Sequence, residues 1–406
     1  MWFAIGIGTQ RRSTSVKGPQ KRSGRRLLVG MLAPAVAALA ALLVGAVMLW
    51  ALGASPFEAY RVLFREAFGS VDGLASTAVK AIPLVLVGVG ITIAFRANVL
   101  NIGGEGQMVV GGLTATVSAL ALPGLPAPVL IPVVLLAGAV GGGVWGAIPG
   151  ALKAYFNVNE ILSTIMLNIV AVQIMNLLLR GPLLDETQIG GLSRVPQTER
   201  LSPNADLPIL IGGTRLHAGV LVALIAAAAA YVLLWRTTFG YRLRAVGLSR
   251  EASRYAGMPV RRTITLALAL SGALAGLAGA VLVFGSESHR MVTDGTTTGF
   301  TGAAGFNGIV VALFGGLHPL GTVVASFLFG GLLVGGNALQ RAVQVPSALI
   351  VALNGLLVVF VVSTEFVRRR ARLRPESPEG ARDVGPGPEP AVEPEPLAAG
   401  PERGEP

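Results

Sequence analysis

Two carboxylates stand inside the hydrophobic stretches of this chain, and polar amides surround both. The stretch 96–112, "RANVLNIGGEGQMVVGG", sets Asn101, Glu105 and Gln107 between two apolar runs. A second, "FNVNEILSTIMLN", opens a long apolar segment with Glu160. The other acids are accounted for elsewhere. Of 21, eight lie in the C-terminal tail, nine in segments read as outer loops, Glu251 in a basic loop and Glu365 beside the terminal arginines. An ionisable group within a membrane segment is costly and faces a cavity or a partner. At about 100° per residue, Asn157, Glu160, Thr164 and Asn168 fall within about 80° of one another on a helix. Such a stripe suits a polar pathway, and equally suits hydrogen bonding between helices. Glu105 carries the same two readings, as a pathway group or as an acid favouring a helix N-terminus.

Other chemistry is not encoded. There are no cysteines, which removes disulfides, thiolate metal sites and a cysteine nucleophile. His217, His289 and His318 are far apart and show no ligand spacing. Neither HExxH nor GxSxG occurs, so an enzyme embedded in the membrane has no candidate constellation. No G-x-x-x-x-G-K-[ST] phosphate loop is present either, so the chain is not an ATPase by that route.

The elements that must position these groups follow from composition. The chain has 406 residues, 52% hydrophobic and only 13% charged, with a mean hydropathy of +0.67. Soluble domains carry about 25% charge. Runs near the roughly 20 residues needed to cross a bilayer recur, without the alternation of a β-barrel. The expected fold is an all-α polytopic integral membrane protein of about ten transmembrane helices. Spans are expected at 27–52, 75–95, 107–122, 129–152, 161–180, 217–235, 263–284, 304–317, 319–336 and 346–367. The third, only 16 residues, gives about 24 Å against a core of roughly 30 Å. Its helix is therefore expected to begin inside the polar motif, or the motif to dip below the surface. Spans k and k+5 run in opposite directions, which permits a five-plus-five inverted repeat.

Charge orients the chain. Nineteen of 32 basic residues lie in three clusters: before the first span, between Arg236 and Arg262, and from Arg368 to Arg374. Ten spans put all three clusters on one side, the cytoplasm, as the positive-inside rule requires. The net charge of +11 is thus a signature of topology and not of nucleic-acid binding. The divisions expected are a basic cytoplasmic N-terminus 1–26, a transmembrane domain 27–367 containing a cytoplasmic loop 236–262, and a cytoplasmic tail 368–406. The first span is expected to be retained and not cleaved. Residues 375–406, with nine prolines and eight acids, are expected to be disordered.

The loop "TTFGYRLRAVGLSREASRYAGMPVRR" is long enough for a short helix from about Ser249 to Tyr255, closed by Gly257 and Pro259. Glu251-Ala252-Ser253 followed by Gly257 resembles the coupling-helix motif of ATP-binding-cassette importer permeases. Ser253 stands where that pattern usually has alanine. "NVLNIGGEGQMVVGG", "GAIPGALKAYFNVNEILSTIMLN" and "GFNGIVVALFGGLHPLG" resemble the branch that includes branched-chain amino acid, ribose and nucleoside importers, and look most like its nucleoside-type permeases. The resemblance covers roughly residues 30–367.

This resemblance implies a permease subunit in the bacterial cytoplasmic membrane, multi-pass, with both termini cytoplasmic. It implies a second permease subunit, cytoplasmic ATPase subunits and an extracytoplasmic substrate-binding protein or lipoprotein. No cofactor would be bound by this chain, with ATP and Mg held on the partner ATPase. It assigns ATPase coupling to Arg244, Gly247, Glu251, Tyr255 and Gly257. The substrate pathway candidates are Asn101, Glu105, Gln107, Glu160, Thr164, Asn168, Phe306 and Asn307. Phe300 or Phe306 beside Asn307 would offer a stacking surface and an amide to a nucleoside. The same machinery could import ribose-like sugars or branched-chain amino acids. An ion-coupled secondary transporter using Glu105 or Glu160 is the alternative of another class.

Overall fold

The protein was analysed as a computed structural model, which describes residues 39–343 except 41, 52, 186, 188–195, 286–288 and 297, together with 352 and 355. The first part of span one, span ten and both termini lie outside the described residues. Twelve helices are described: α1 (Leu42–Ala51), α2 (Pro56–Phe68), α3 (Val71–Arg96), α4 (Gly104–Ala121), α5 (Ala127–Phe156), α6 (Glu160–Arg180), α7 (Gly219–Arg236), α8 (Thr238–Leu248), α9 (Arg250–Tyr255), α10 (Val260–Phe284), α11 (Ala304–Phe314) and α12 (Pro319–Val343). Six of them, α3, α5, α6, α7, α10 and α12, are long and apolar enough to cross a membrane.

The spans match these helices with two additions. The segment before span two, expected as loop, holds the amphipathic helix α2. Ser55 caps it and Ala59, Leu63 and Ala67 form its buried face. The basic loop holds α8 as well as the expected short helix, which is α9.

The centre of the bundle is the pair α3 and α10, the most buried of the long helices apart from their ends. Their partners exchange in a regular way. α10 packs on α5 and α4, as α3 packs on α12 and α11; α4 packs on α5, as α11 packs on α12. Numbered as spans, each pair maps onto the other when k and k+5 are swapped, the packing an inverted repeat requires. α5 and α10 approach each other closely. Gly138, Gly142, Gly146 and Gly150 recur every fourth residue along α5, and a Cβ on Gly142 would collide with the Gly272 carbonyl oxygen. Small residues on such a face let two backbones meet without side chains between them.

Two helices stop at mid-depth. Gly104, at the start of α4, packs against Val87 of α3 and Gly305 of α11. Val87 lies nine residues before Arg96, hence about 14 Å from the inner end of α3 at 1.5 Å per residue. The chain therefore climbs from Arg96 to Gly104 without helix, then runs outward as α4. From the outer side, the segment 298–303 descends to the same level, and α11 continues inward for 11 residues, about 16 Å. The two helix N-termini face each other inside the membrane core. The polar motif dips, as the short third span required.

The outer face is closed by the two long outer segments. Thr198 N–H donates to Met291 O, Leu201 N–H to His289 O, and Gln197 and Val292 form an antiparallel bridge. Asp206 pairs with His289 at 2.7 Å.

Candidate functional site: a mid-membrane crossing and a basic arm

A helix N-terminus leaves its first N–H groups without intrahelical partners. In water they are hydrated, but at mid-depth another protein group must take them. Neither half-helix caps itself. The residues before α4 and α11 are Gly103 and Ala303, and neither gives a side-chain cap. Both caps come from other helices. The Glu105 carboxylate of α4 accepts the Phe306 N–H of α11 at 3.0 Å and the Thr301 hydroxyl. The Asn168 amide oxygen of α6 accepts the Gly106 N–H of α4 at 2.8 Å, while its nitrogen donates to Ile102 O at 3.0 Å. Glu105 is wholly buried and Asn168 nearly so. A Cβ on Gly305 would strike the Glu105 backbone nitrogen, so glycine is what lets the two ends touch.

Asn101 holds the climbing segment. Its oxygen accepts the Gly103 N–H at 2.9 Å and the Gln107 amide at 3.1 Å; its nitrogen donates to Gln107 at 2.9 Å and Ser271 at 2.8 Å. Thr164 is buried against Gly103 and donates its hydroxyl back to Glu160 O. The pathway candidates thus divide. Asn101, Glu105, Gln107, Thr164 and Asn168 form one buried knot, each hydrogen-bonded within the protein.

Glu160 is apart from it, at the inner end of α6, in a 2.8 Å ion pair with Lys153. Phe306 and Asn307 lie on the far side of the crossing. Phe306 is 40% exposed, Asn307 is half-buried, and the Asn307 side-chain amide makes no hydrogen bond within the described residues. Gly302 beside them is exposed, with Gly302 and Ala303 both in the left-handed region at φ of 60° and 61°. Thr301 and Ser271, which complete the knot, were not singled out from sequence. Single hydroxyls in apolar runs carry no signal until their partners are known.

The second part of the site is the basic arm of α8 and α9. Gly247 of α8 lies on the C-terminal end of α3, where a Cβ would strike the Arg96 carbonyl oxygen. Arg250 donates to Asn98 O at 3.1 Å. Arg96 itself donates to Leu317 O at 3.2 and 2.7 Å and lies 5.2 Å from the Trp235 ring, which packs on His318. Burial, and then the Arg96 guanidinium, hold His318 below the usual imidazole range.

α9 is capped by Ser249, whose hydroxyl accepts the Ala252 N–H. It ends in a Schellman turn: Gly257, at φ 74°, donates to Arg254 O and Met258 donates to Ser253 O. Its outward surface is bare. Leu248 is 90% and Tyr255 94% exposed, with Glu251 exposed between them. Arg244, half-buried, donates to Gly240 O one turn back. Of the coupling candidates, Glu251 and Tyr255 therefore present an outer surface. Gly247 and Gly257 shape the arm, and Arg244 stays within α8. A cleft of about 530 Å3 runs under it, lined by Asn98, Glu160 and residues 246–251.

A helical membrane bundle with two short helices meeting inside it and an exposed basic arm has the form of a transport permease. The chain belongs to the family of branched-chain amino acid transport system permease components, whose family model matches residues 73–362. It is 36% identical over 346 residues to the glucose ABC transporter permease protein TsgB13 of Haloferax volcanii, covering 83% of this chain and 88% of that one. It is 36% identical over 338 residues to the guanosine ABC transporter permease protein NupP of Bacillus subtilis, covering 83% and 94%. It is 31% identical over 347 residues to the nucleoside ABC transporter permease protein NupB of Lactococcus lactis, covering 83% and 92%. The chain is a multi-pass permease subunit of an ABC transporter and not an enzyme; ATP hydrolysis belongs to a partner. Membership in this family removes the ion-coupled alternative.

Proposed function

We propose that this chain forms part of the substrate path of a nucleoside importer in a bacterial cytoplasmic membrane, with both termini cytoplasmic. Its partners in this reading are a second permease subunit, two cytoplasmic ATPases holding ATP and Mg, and an extracytoplasmic binding protein or lipoprotein. The observation that carries the reading is the exposed surface at Gly302, Phe306 and Asn307. Irregular backbone at mid-membrane depth is tolerated where it is buried in protein or lines a water-filled cavity. Here it is exposed beside an aromatic ring and an unused amide. A ring stacks on a base and an amide hydrogen-bonds its edge or a ribose hydroxyl. The guanosine and nucleoside permeases among the relatives support the same substrate class.

In this reading the buried knot holds the wall and does not touch the permeant. Coupling has a short route. ATPases bound at Glu251 and Tyr255 move α8–α9, which rests on Arg96 and bonds Asn98. Three residues further on, Asn101 enters the knot that fixes both half-helices. The Lys153–Glu160 pair and the cleft beneath the arm lie where an inward opening would form.

The glucose permease relative, as similar as the guanosine one, favours a second reading in which the permeant is a simple sugar. Uptake of labelled guanosine and labelled glucose by cells expressing the whole transporter separates them. Saturable guanosine uptake, weakened by Phe306→Leu and Asn307→Ala at unchanged membrane levels, is expected. Glucose uptake without guanosine uptake would sink the nucleoside assignment.

A further inference from the structure

We propose that Gln173 of α6 lines the same substrate path and is a hydrogen-bonding contact for the permeant; this rests on the path reading above. The outward faces of the spanning helices make the argument. α5 exposes Leu136, Val140, Val144 and Ile148, and α7 exposes Leu221, Leu224, Ile225 and Val232. Both faces are apolar throughout, as hydrocarbon requires.

α6 packs on α4 and α5 alone among the helices it meets closely, and exposes Leu162, Met166, Ile169, Gln173 and Leu177 along one stripe. Gln173 is the polar residue in that stripe between the helix ends. It stands seven residues, about 10 Å, below Arg180, inside a core of roughly 30 Å. A primary amide left in hydrocarbon without partners loses its hydrogen bonds to water. Within the described residues Gln173 receives a single long contact, 3.5 Å from Asn176 to its oxygen, and its own nitrogen donates to nothing.

Its neighbour locates it. Asn176 accepts the Thr293 hydroxyl at 2.9 Å and donates to Gly295 O at 3.4 Å. The segment held there is the one that continues down to Gly302 and Phe306. Five residues, about 7.5 Å, below Gln173, Asn168 caps α4 at the level of the crossing. α6 therefore runs beside the segment that leads down to Gly302 and Phe306. The Gln173 amide offers one donor pair and one acceptor, which suits a neutral, hydroxyl- and amide-rich solute such as a nucleoside and has no charge to reject.

The chain contains no cysteine, so a single introduced thiol is the one reactive thiol on this subunit and is read on this subunit's own band. Gln173→Cys and, as the lipid-facing reference, Val140→Cys are made in the whole transporter and exposed to a charged, membrane-impermeant methanethiosulfonate. Modification of Q173C but not V140C, slowed by guanosine, is expected. In parallel, Gln173→Leu should raise the KM for guanosine uptake at least ten-fold at unchanged membrane levels. Q173C no more reactive than V140C, absent guanosine protection, or a Q173L KM within two-fold of the unaltered transporter overturns the proposal. If Phe306 and Asn307 variants impair uptake while Gln173 variants do not, only this inference fails. If none of the three positions matters, the path itself has been misplaced.

Discussion

The knot around Glu105 and the strip at Gln173, Phe306 and Asn307 are built from the same residue types at similar depth, yet their polar groups are treated in opposite ways. In the knot, two carboxylate oxygens, two asparagine amides and a glutamine amide are spent on helix N-termini, on the climbing backbone and on one another. In the strip, the amides of Gln173 and Asn307 are exposed or half-buried and leave donors unused. A satisfied polar group inside a membrane protein holds structure. An unsatisfied one facing outward waits for something that is not lipid.

The sharpest way to break that contrast is to remove the shared cap. Glu105→Ala leaves the Phe306 N–H and the Thr301 hydroxyl unpaired in a dry site, each costing about 1–3 kcal/mol. We expect loss of folded, monodisperse protein in detergent. Glu105→Gln keeps an acceptor for Phe306 and should fold with a lowered Tm. If Glu105→Ala retained the Tm of the unaltered protein and lost only transport, the knot would belong with the strip.

The next largest effect is expected on the α8–α9 arm. Tyr255 is almost wholly exposed, so its truncation costs no packing within the chain. Docked aromatic anchors are worth about 2 kcal/mol or more, roughly 30-fold in affinity. Tyr255→Ala and Glu251→Lys should therefore weaken co-purification of the ATPase and abolish uptake while Tm stays unchanged. Normal ATPase retention and uptake in both variants would remove the coupling assignment. Gly257→Val is the contrasting variant: it places a β-branched residue at φ 74° and should lower Tm as well.

Asn307→Ala comes third. Its side chain makes no hydrogen bond within the described residues, so Tm should not move, while loss of one contact of about 1 kcal/mol should raise KM about five-fold. A drop in Tm without a change in KM would place Asn307 in the structural set.

The arrangement of spans was legible because hydropathy reads helices. Even the dip of "NIGGEGQ" followed from a helix too short to cross. The roles within the polar set were not legible. Glu105 and Asn307 both look like polar residues in apolar surroundings. What separates them is whether a partner such as Thr301, 196 residues away, completes the bond. Gln173 escaped notice because a lone glutamine in a 21-residue span looks like any other interruption. Only its position on the outward stripe, against the unbroken apolar stripes of α5 and α7, gives it meaning. α2 was missed for the opposite reason: its charged residues look like loop until Ala59, Leu63 and Ala67 are seen to share a face.

A third setting calibrates the first two. Asp185 is satisfied like Glu105, but on the outer face. Its carboxylate accepts the Thr187 hydroxyl at 2.7 Å and the Thr187 N–H at 3.0 Å, with Arg290 at 3.4 Å. The Thr187 hydroxyl, its N–H and, less strongly, the Arg290 charge hold this carboxyl below the usual carboxylate range. A lowered native value means the ionised form is favoured by folding. The stabilisation is therefore present above the unfolded value, about 3.9, and is lost as pH falls through the native one. Asp185→Asn should lower Tm slightly at neutral pH, and the gap should close as the buffer is taken below about pH 4. Water can replace each of these partners, which is why the effect should be the smallest of the four. A gap as large as that of Glu105→Gln, or one independent of pH, would show that membrane depth is not what makes the knot strong.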